Sequence, residues 1–170
     1  MLHFFKKQQE SPYFYFEHFL PLEIVDKLLI ELNDSDFKTA RQYDLGRKNK
    51  EVFLDTPQYL DKFIINRKVG HKRIKLFSKP YEFYKYDTND YIERHTDAAR
   101  ELSNRELSNF TLIIYLNDNF IGGETFLVTD NMKYSAKKGA ALLFEHNLEH
   151  SGEKVMLGEK YIFRTNCLVK

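Results

Sequence analysis

NFTLIIYLN (109–117) is the stretch on which the fold turns. It is rich in β-branched and aromatic residues and holds no glycine or proline. Alternation along a strand places Thr111, Ile113 and Tyr115 on one face and the intervening residues on the other. The same texture recurs on both sides of it, in YEFYKY (81–86), YIERH (91–95), ETFLVTD (124–130), MKYSA (132–136), AALLFEH (140–146) and EKYIFRTNCLV (159–169). All four prolines lie at or before Pro80, whereas Gly122, Gly123, Gly139, Gly152 and Gly158 follow it, which predicts strands broken by glycine turns. Gly122 and Gly123 read as a hairpin turn without a chemical role. Seven short strands in roughly ninety residues point to a barrel or a sandwich. The near-repeat RELSN, at 100–104 and 105–109, reads as a polar loop or a single helical turn.

Upstream of residue 80 the pattern is helical. PLEIVDKLLIEL (21–32) carries Leu22, Ile24, Val25, Leu28, Leu29 and Leu32 at helical spacing behind a proline suited to a first turn. TPQYLDKFIINRKVG (56–70) predicts a second helix, with Thr56 as N-cap, Pro57 at the first helical position and Gly70 past the end. Both helices are expected to cover one face of a sheet. RQYDLGRKNKEVFLD (41–55) reads as a polar loop running into a short strand.

At 170 residues and 42% apolar, the chain suits one domain with its own core. The one cysteine, Cys167, excludes an intrachain disulfide. The start MLHFFKKQQE has its lysines after the apolar residues, the reverse of a secretory leader, so a cytoplasmic location is expected. No apolar run is long enough to span a bilayer as a helix. The net charge of +1 gives no general pull on nucleic acid, and the basic cluster GHKRIKLFSK (70–79) reads as a solvated face.

The chemistry is concentrated in HTD (95–97). In a strand, positions i and i+2 point to one face about 6.6 Å apart, so His95 and Asp97 can serve one metal ion over that face. The third ligand is sought in LFEHNLEHSGEK, which offers His146 at the end of an apolar strand and His150 before a glycine turn. Two histidines and one carboxylate on one side of a metal leave the opposite positions open, as suits ferrous iron that takes up a chelating co-substrate and dioxygen.

From residue 80 onward the chain resembles the iron(II)- and 2-oxoglutarate-dependent dioxygenases, within them the prolyl 4-hydroxylase-like group. The matching segments come in order: EFYKY (82–86), HTD (95–97), SNFTLIIYLNDNFIGGETFL (108–127) and GAALLFEHNLEHSGEKVMLGEKYIFRTN (139–166). The resemblance implies an α+β, mainly β fold: a double-stranded β-helix (jelly-roll) core over 80–170 with a helical support region, 1–79, packed on one sheet. It implies His95, Asp97 and His150 as iron ligands, because the family histidine is the one followed by x-Gly and by a basic residue ten positions on. That basic residue is Lys160, implied to pair with the distal carboxylate of 2-oxoglutarate. Tyr86 matches the family tyrosine that contacts the co-substrate. By alternation Thr111 and Tyr115 share a face that can line the pocket, and Arg164 shares a face with Lys160, as a second anchor or a substrate contact. His146 is left as a supporting or packing residue. The implied reaction hydroxylates an unactivated carbon while 2-oxoglutarate and dioxygen yield succinate and carbon dioxide, with ascorbate as accessory reductant. The substrate is a small molecule or a peptidyl residue, proline being the family's suggestion. Two other classes use the same ligands: a metal hydrolase or isomerase using zinc and an activated water, which gives Lys160, Tyr86 and Tyr115 no task, and a non-catalytic module that holds metal or ligand without turnover.

Overall fold

The computed structural model describes residues 11–41, 46–55 and 58–170. In chain order the elements are β1 (Tyr13–Phe16), α1 (Leu22–Asn33), β2 (Lys38–Thr39), β3 (Arg47–Lys48), β4 (Lys50–Leu54), α2 (Asp61–Ile64), β5 (Lys68–Val69), β6 (Lys72–Phe77), β7 (Tyr81–Tyr86) and β8 (Tyr91–His95). They continue with β9 (Phe110–Tyr115), β10 (Ile121–Gly122), β11 (Thr125–Leu127), β12 (Met132–Tyr134), β13 (Ala141–Glu145), β14 (His150–Gly152), β15 (Val155–Leu157) and β16 (Lys160–Val169).

The strands form two principal antiparallel sheets. The larger runs β1-β13-β9-β16-β7-β4-β2, with β6 on β16 and β5 on β6; the smaller runs β12-β11-β14-β8-β3. Strand β16 organises the larger sheet, pairing along its length with β9, by its first half with β7 and by its end with β6. Successive side chains of a strand face opposite ways, and the large sheet divides its residues accordingly. Phe83, Leu112, Ile114, Leu143, Phe163 and Cys167 join a core with Val25, Leu28 and Leu32 of α1 and with Leu60 and Ile64. Tyr84, Tyr86, Ile113, Tyr115, Phe144 and Ile162 face the other way, into a second core shared with Leu127, Leu148 and Val155. Tyr86, Thr111, Lys160 and Arg164 of the large sheet line one cavity with His95 and His150 of the smaller sheet.

The first half departs from the helical reading. The helix expected over 21–32 forms as α1, but the one expected over 56–70 is a 3₁₀ turn (Gln58–Leu60) and the four residues of α2. Thr56 and Pro57 lie outside the described residues, and Gly70 occupies the left-handed turn (φ 58°) between β5 and β6 rather than a helix end. Residues 11–79 hold six short strands among those described, β1 to β6, so this half is not a helical support region but completes both sheets. The basic cluster at 70–79 is strand β6, whose Ile74 and Phe77 are buried against β16 while Arg73 and Lys75 are exposed. The RELSN stretch is a loop closed by a bridge between Glu101 and Leu107. Gly122 and Gly123 do not join neighbouring strands of one hairpin: Gly122 pairs with β15, and both take positive φ (77° and 69°). No helix among the described residues is long and apolar enough to cross a membrane.

Candidate metal and co-substrate site

His95 ends β8 and His150 begins β14, and the two are directly paired across the antiparallel ladder. Their rings lie 4.2 Å apart between centroids. Each ring bonds through Nδ1 to the carbonyl two residues earlier, His95 to Glu93 at 2.8 Å and His150 to Leu148 at 2.9 Å. A proton committed to Nδ1 leaves the Nε2 lone pair as the ligand atom, in the manner of metal-binding histidines. Asp97, just past β8, is fixed by its N–H donating to the His146 carbonyl at 2.9 Å. Its Oδ1 lies 3.7 Å from His95 Nε2 and its Oδ2 3.7 Å from His150 Nε2. One ligand atom from each of the three residues falls within 4.8 Å of the others. Two imidazoles and a carboxylate facing a cavity fit a ferrous ion with open positions.

Asp97 is held from both oxygens. Arg164 Nη2 reaches Oδ1 at 2.9 Å, and the Thr111 hydroxyl donates to Oδ2. Burial works against its ionisation, but Arg164, His150, Thr111 and His95 outweigh that and hold the carboxyl at about 2. Arg164 is itself buried, with Glu82 Oε2 at 3.6 Å from its Nη1, and Tyr84 donates to the other oxygen of Glu82 at 2.6 Å. Burial lowers the His150 pKa, which keeps the ring neutral and available to a metal.

Lys160 stands at the other end of the same cavity, directly paired with Tyr86 across β16 and β7. Its ammonium donates to the Gly123 carbonyl at 2.7 Å and lies 5.0 Å from the Tyr86 ring centre and 5.8 Å from that of Tyr115. It is 2% exposed and makes no salt bridge with a carboxylate among the described residues. Burial therefore drives its pKa down from 10.5 to about 8, against a smaller pull from Glu124. A cation buried without an anion is costly, and the cost is offset when an anionic ligand arrives. Tyr86 is buried too, with its pKa raised by desolvation, and its hydroxyl bonds to no other described residue.

One cavity of about 420 Å³ gathers His95, Asp97, His150, Lys160, Tyr86, Thr111 and Arg164, all of them singled out by the sequence. Tyr115 is the exception. It is fully buried beside the cavity and donates to Thr125 Oγ1 at 2.8 Å, so it supports the wall rather than lining it. Thr111 lines the cavity, but its hydroxyl is committed to Asp97. Arg164 is likewise taken up by Asp97 and Glu82. Gly123, expected to have no chemical role, supplies the acceptor for Lys160. Sequence reasoning missed Thr125, Arg47 and Arg100 on the cavity wall. Alternation in ETFLVTD pairs Thr125 with Leu127 on one face and was a usable signal for the first. The two arginines come from loops and edge strands with no periodicity to read.

The family model described as the 2OG-Fe(II) oxygenase superfamily matches residues 81–167, or 87 of the 170. A protein of Acanthamoeba polyphaga mimivirus named for prolyl 4-hydroxylase is 32% identical over 98 residues, covering 46% of this chain and 40% of the viral protein, so the match spans less than half of that relative. Among solved structures, a Trichoplax adhaerens prolyl hydroxylase in complex with a hypoxia-inducible-factor peptide fragment superposes with a TM-score of 0.72 at 17% identity, over 92% of this chain and 83% of that one. A Pseudomonas putida prolyl 4-hydroxylase gives 0.68 at 17% identity over 92% of each chain. A viral collagen prolyl hydroxylase of Paramecium bursaria Chlorella virus-1 gives 0.65 at 18%, over 92% and 96%. With the family model spanning just over half of the sequence, and His95, Asp97 and His150 inside the match, the chain belongs to the 2OG-Fe(II) oxygenase superfamily.

Proposed function

We propose that the protein is an iron- and 2-oxoglutarate-dependent dioxygenase that hydroxylates an unactivated carbon, on a double-stranded β-helix core within a single domain of 170 residues. The observation that carries this is the pairing of two features in one cavity: a His95, Asp97, His150 face with both Nε2 atoms presented, and, away from it, the buried and carboxylate-free Lys160. A lone metal hydrolase site needs the first and has no use for the second.

In this reading His95, Asp97 and His150 hold the ion, and Lys160 receives the distal carboxylate of 2-oxoglutarate with the Tyr86 hydroxyl beside it. Arg164, spent on Asp97, is not the anchor. Bound iron with 2-oxoglutarate and dioxygen supplies the oxidising power for C–H hydroxylation, with release of succinate and carbon dioxide. The chain orients the co-substrate between Lys160 and the triad, and the second core keeps water from the buried end. Peptidyl proline is the substrate class favoured by the relatives, since the Trichoplax structure holds a peptide and the others are prolyl hydroxylases by name. Ascorbate is the accessory reductant and the cytoplasm the location that accompany this reading.

The test is anaerobic: ferrous iron and then 2-oxoglutarate are added to metal-free protein while the visible charge-transfer band of the chelate is followed. The band should develop in wild type and be absent in His150→Ala. Iron binding without a band would remove the co-substrate from the metal and return the zinc-hydrolase reading.

A further inference from the structure

His146 lies outside the proposed ligand set, yet both of its ring nitrogens are engaged. It is buried just past β13, with Nδ1 3.0 Å from Thr111 Oγ1 and Nε2 2.9 Å from Ser108 Oγ. Ser108 Oγ in turn accepts the Arg100 N–H at 2.8 Å. At the far end Thr111 meets Asp97 Oδ2. The direction of this chain follows from its last member. A carboxylate only accepts, so the single Thr111 proton is committed to Asp97. Thr111 Oγ1 is then an acceptor for His146, which has to carry its proton on Nδ1. Ser108, already accepting from Arg100, directs its proton to Nε2. Meanwhile the His146 carbonyl accepts the Asp97 N–H at 2.9 Å, so one residue touches the main chain of the ligand directly and its carboxylate through one hydroxyl. Arg164 grips the other carboxylate oxygen from the opposite side.

We propose that His146 is a positioning residue for the metal ligand Asp97, its Nδ1–H holding the Thr111 hydroxyl in the one orientation that fixes the carboxylate for the ion. The role rests on the iron-dependent reading above, and it differs from plain packing in specifying a tautomer and a partner.

Two measurements test it. In the metal-free wild type, long-range ¹⁵N–¹H spectra of the imidazoles should show His146 protonated on Nδ1, and Thr111→Val should return the proton to Nε2. Wild-type His146 protonated on Nε2 overturns the proposal whatever the metal does. The second readout is the Mn²⁺ dissociation constant by electron paramagnetic resonance on unfolding-checked protein. His146→Leu and Thr111→Val should each weaken it about tenfold, the double variant no more than the worse single, and His146→Asn, whose amide N–H can stand where Nδ1–H did, by no more than about twofold. If His146→Leu does not fold, His146→Gln replaces it, since its amide reaches the Nε2 position and it should bind manganese more weakly than His146→Asn. Unchanged affinity in the Leu or Gln variant, or losses that add in the double variant, overturns the role. Wild type that binds no manganese overturns the iron-dependent reading as well, a result distinct from manganese binding with the proton on Nε2.

Discussion

Lys160→Met should make the fold more stable while removing co-substrate binding. Burial brings the Lys160 ammonium from 10.5 down to about 8. At 1.36 kcal/mol per pKa unit, keeping it charged inside the fold at pH 7 costs about 3 kcal/mol. Methionine fills a similar volume without that cost. It gives up the 2.7 Å bond to Gly123 and the contacts over the Tyr86 and Tyr115 rings, worth together about 1–2 kcal/mol. The net expectation is a gain of about 1–2 kcal/mol at pH 7, or about 2–8 °C in Tm for a chain of this size. The sign with pH is fixed as well. Lys160 is a base whose folded pKa lies below its unfolded value, so the unfolded chain binds more protons between pH 8 and 10.5. The penalty is complete below about pH 8 and is relieved as pH rises through that window, by about 2 kcal/mol at pH 9.5. Urea unfolding of both proteins at pH 7 and pH 9.5 checks this, with calorimetric titration of 2-oxoglutarate into each. A methionine variant less stable than wild type at pH 7, or a gap that does not narrow at pH 9.5, would refute the account of Lys160 as an unpaired buried cation held for a ligand.

Affinity for 2-oxoglutarate should fall about tenfold between pH 7 and pH 9 as Lys160 loses its proton, and Lys160→Arg should flatten that profile; calorimetry of the Mn²⁺-loaded protein reads both. Lys160→Ala should raise the apparent KM for 2-oxoglutarate far more than it weakens metal binding, whereas an unchanged KM would move the anchor to Arg164. The proposed metal ligands should differ in their effect on stability: the His95 side chain is 37% exposed and His95→Ala should stay within about 1 kcal/mol of wild type. Asp97→Ala, which leaves the buried Arg164 with Glu82 at 3.6 Å as its one ion-pair partner among the described residues, should cost about 2–4 kcal/mol; equal thermal unfolding of the two variants would show that Arg164 does not depend on Asp97. Gly122→Ala should lower Tm measurably, since its φ is 77° and a Cβ there would lie 2.5 Å from the Lys154 carbonyl oxygen.

Much of the site was legible because strand alternation is a local rule. Thr111 and Ile113, and likewise Lys160, Ile162 and Arg164, share a face in the structure as their spacing requires, and HTD places His95 at the end of β8 and Asp97 just beyond it, both on the cavity. The short strands β10, β14 and β15 escaped notice because two or three residues carry no readable period. Residues 56–70 misled because their apolar spacing suits a helix, while pairing of the next segment with β16, almost a hundred positions away, draws Ile74 and Phe77 into a sheet.

The amino-acid sequence by itself determined the longer strands of the second half and singled out His95, Asp97 and His150, which the fold brings within 4.8 Å of one another, together with a lysine in the same cavity. Only the tertiary structure decided what each charge is spent on. Lys160 and Arg164 stand on one face of one strand and are alike in sequence terms, yet one has no carboxylate partner among the described residues and the other is bound to Asp97 and Glu82. The reason is that a partner for a buried charge comes from whichever strand lies alongside. Glu82 faces Arg164 through the β7 pairing, Asp97 arrives from the smaller sheet, and the register opposite Lys160 offers the uncharged Tyr86. Register across a sheet is a long-range property, set by how the whole core packs.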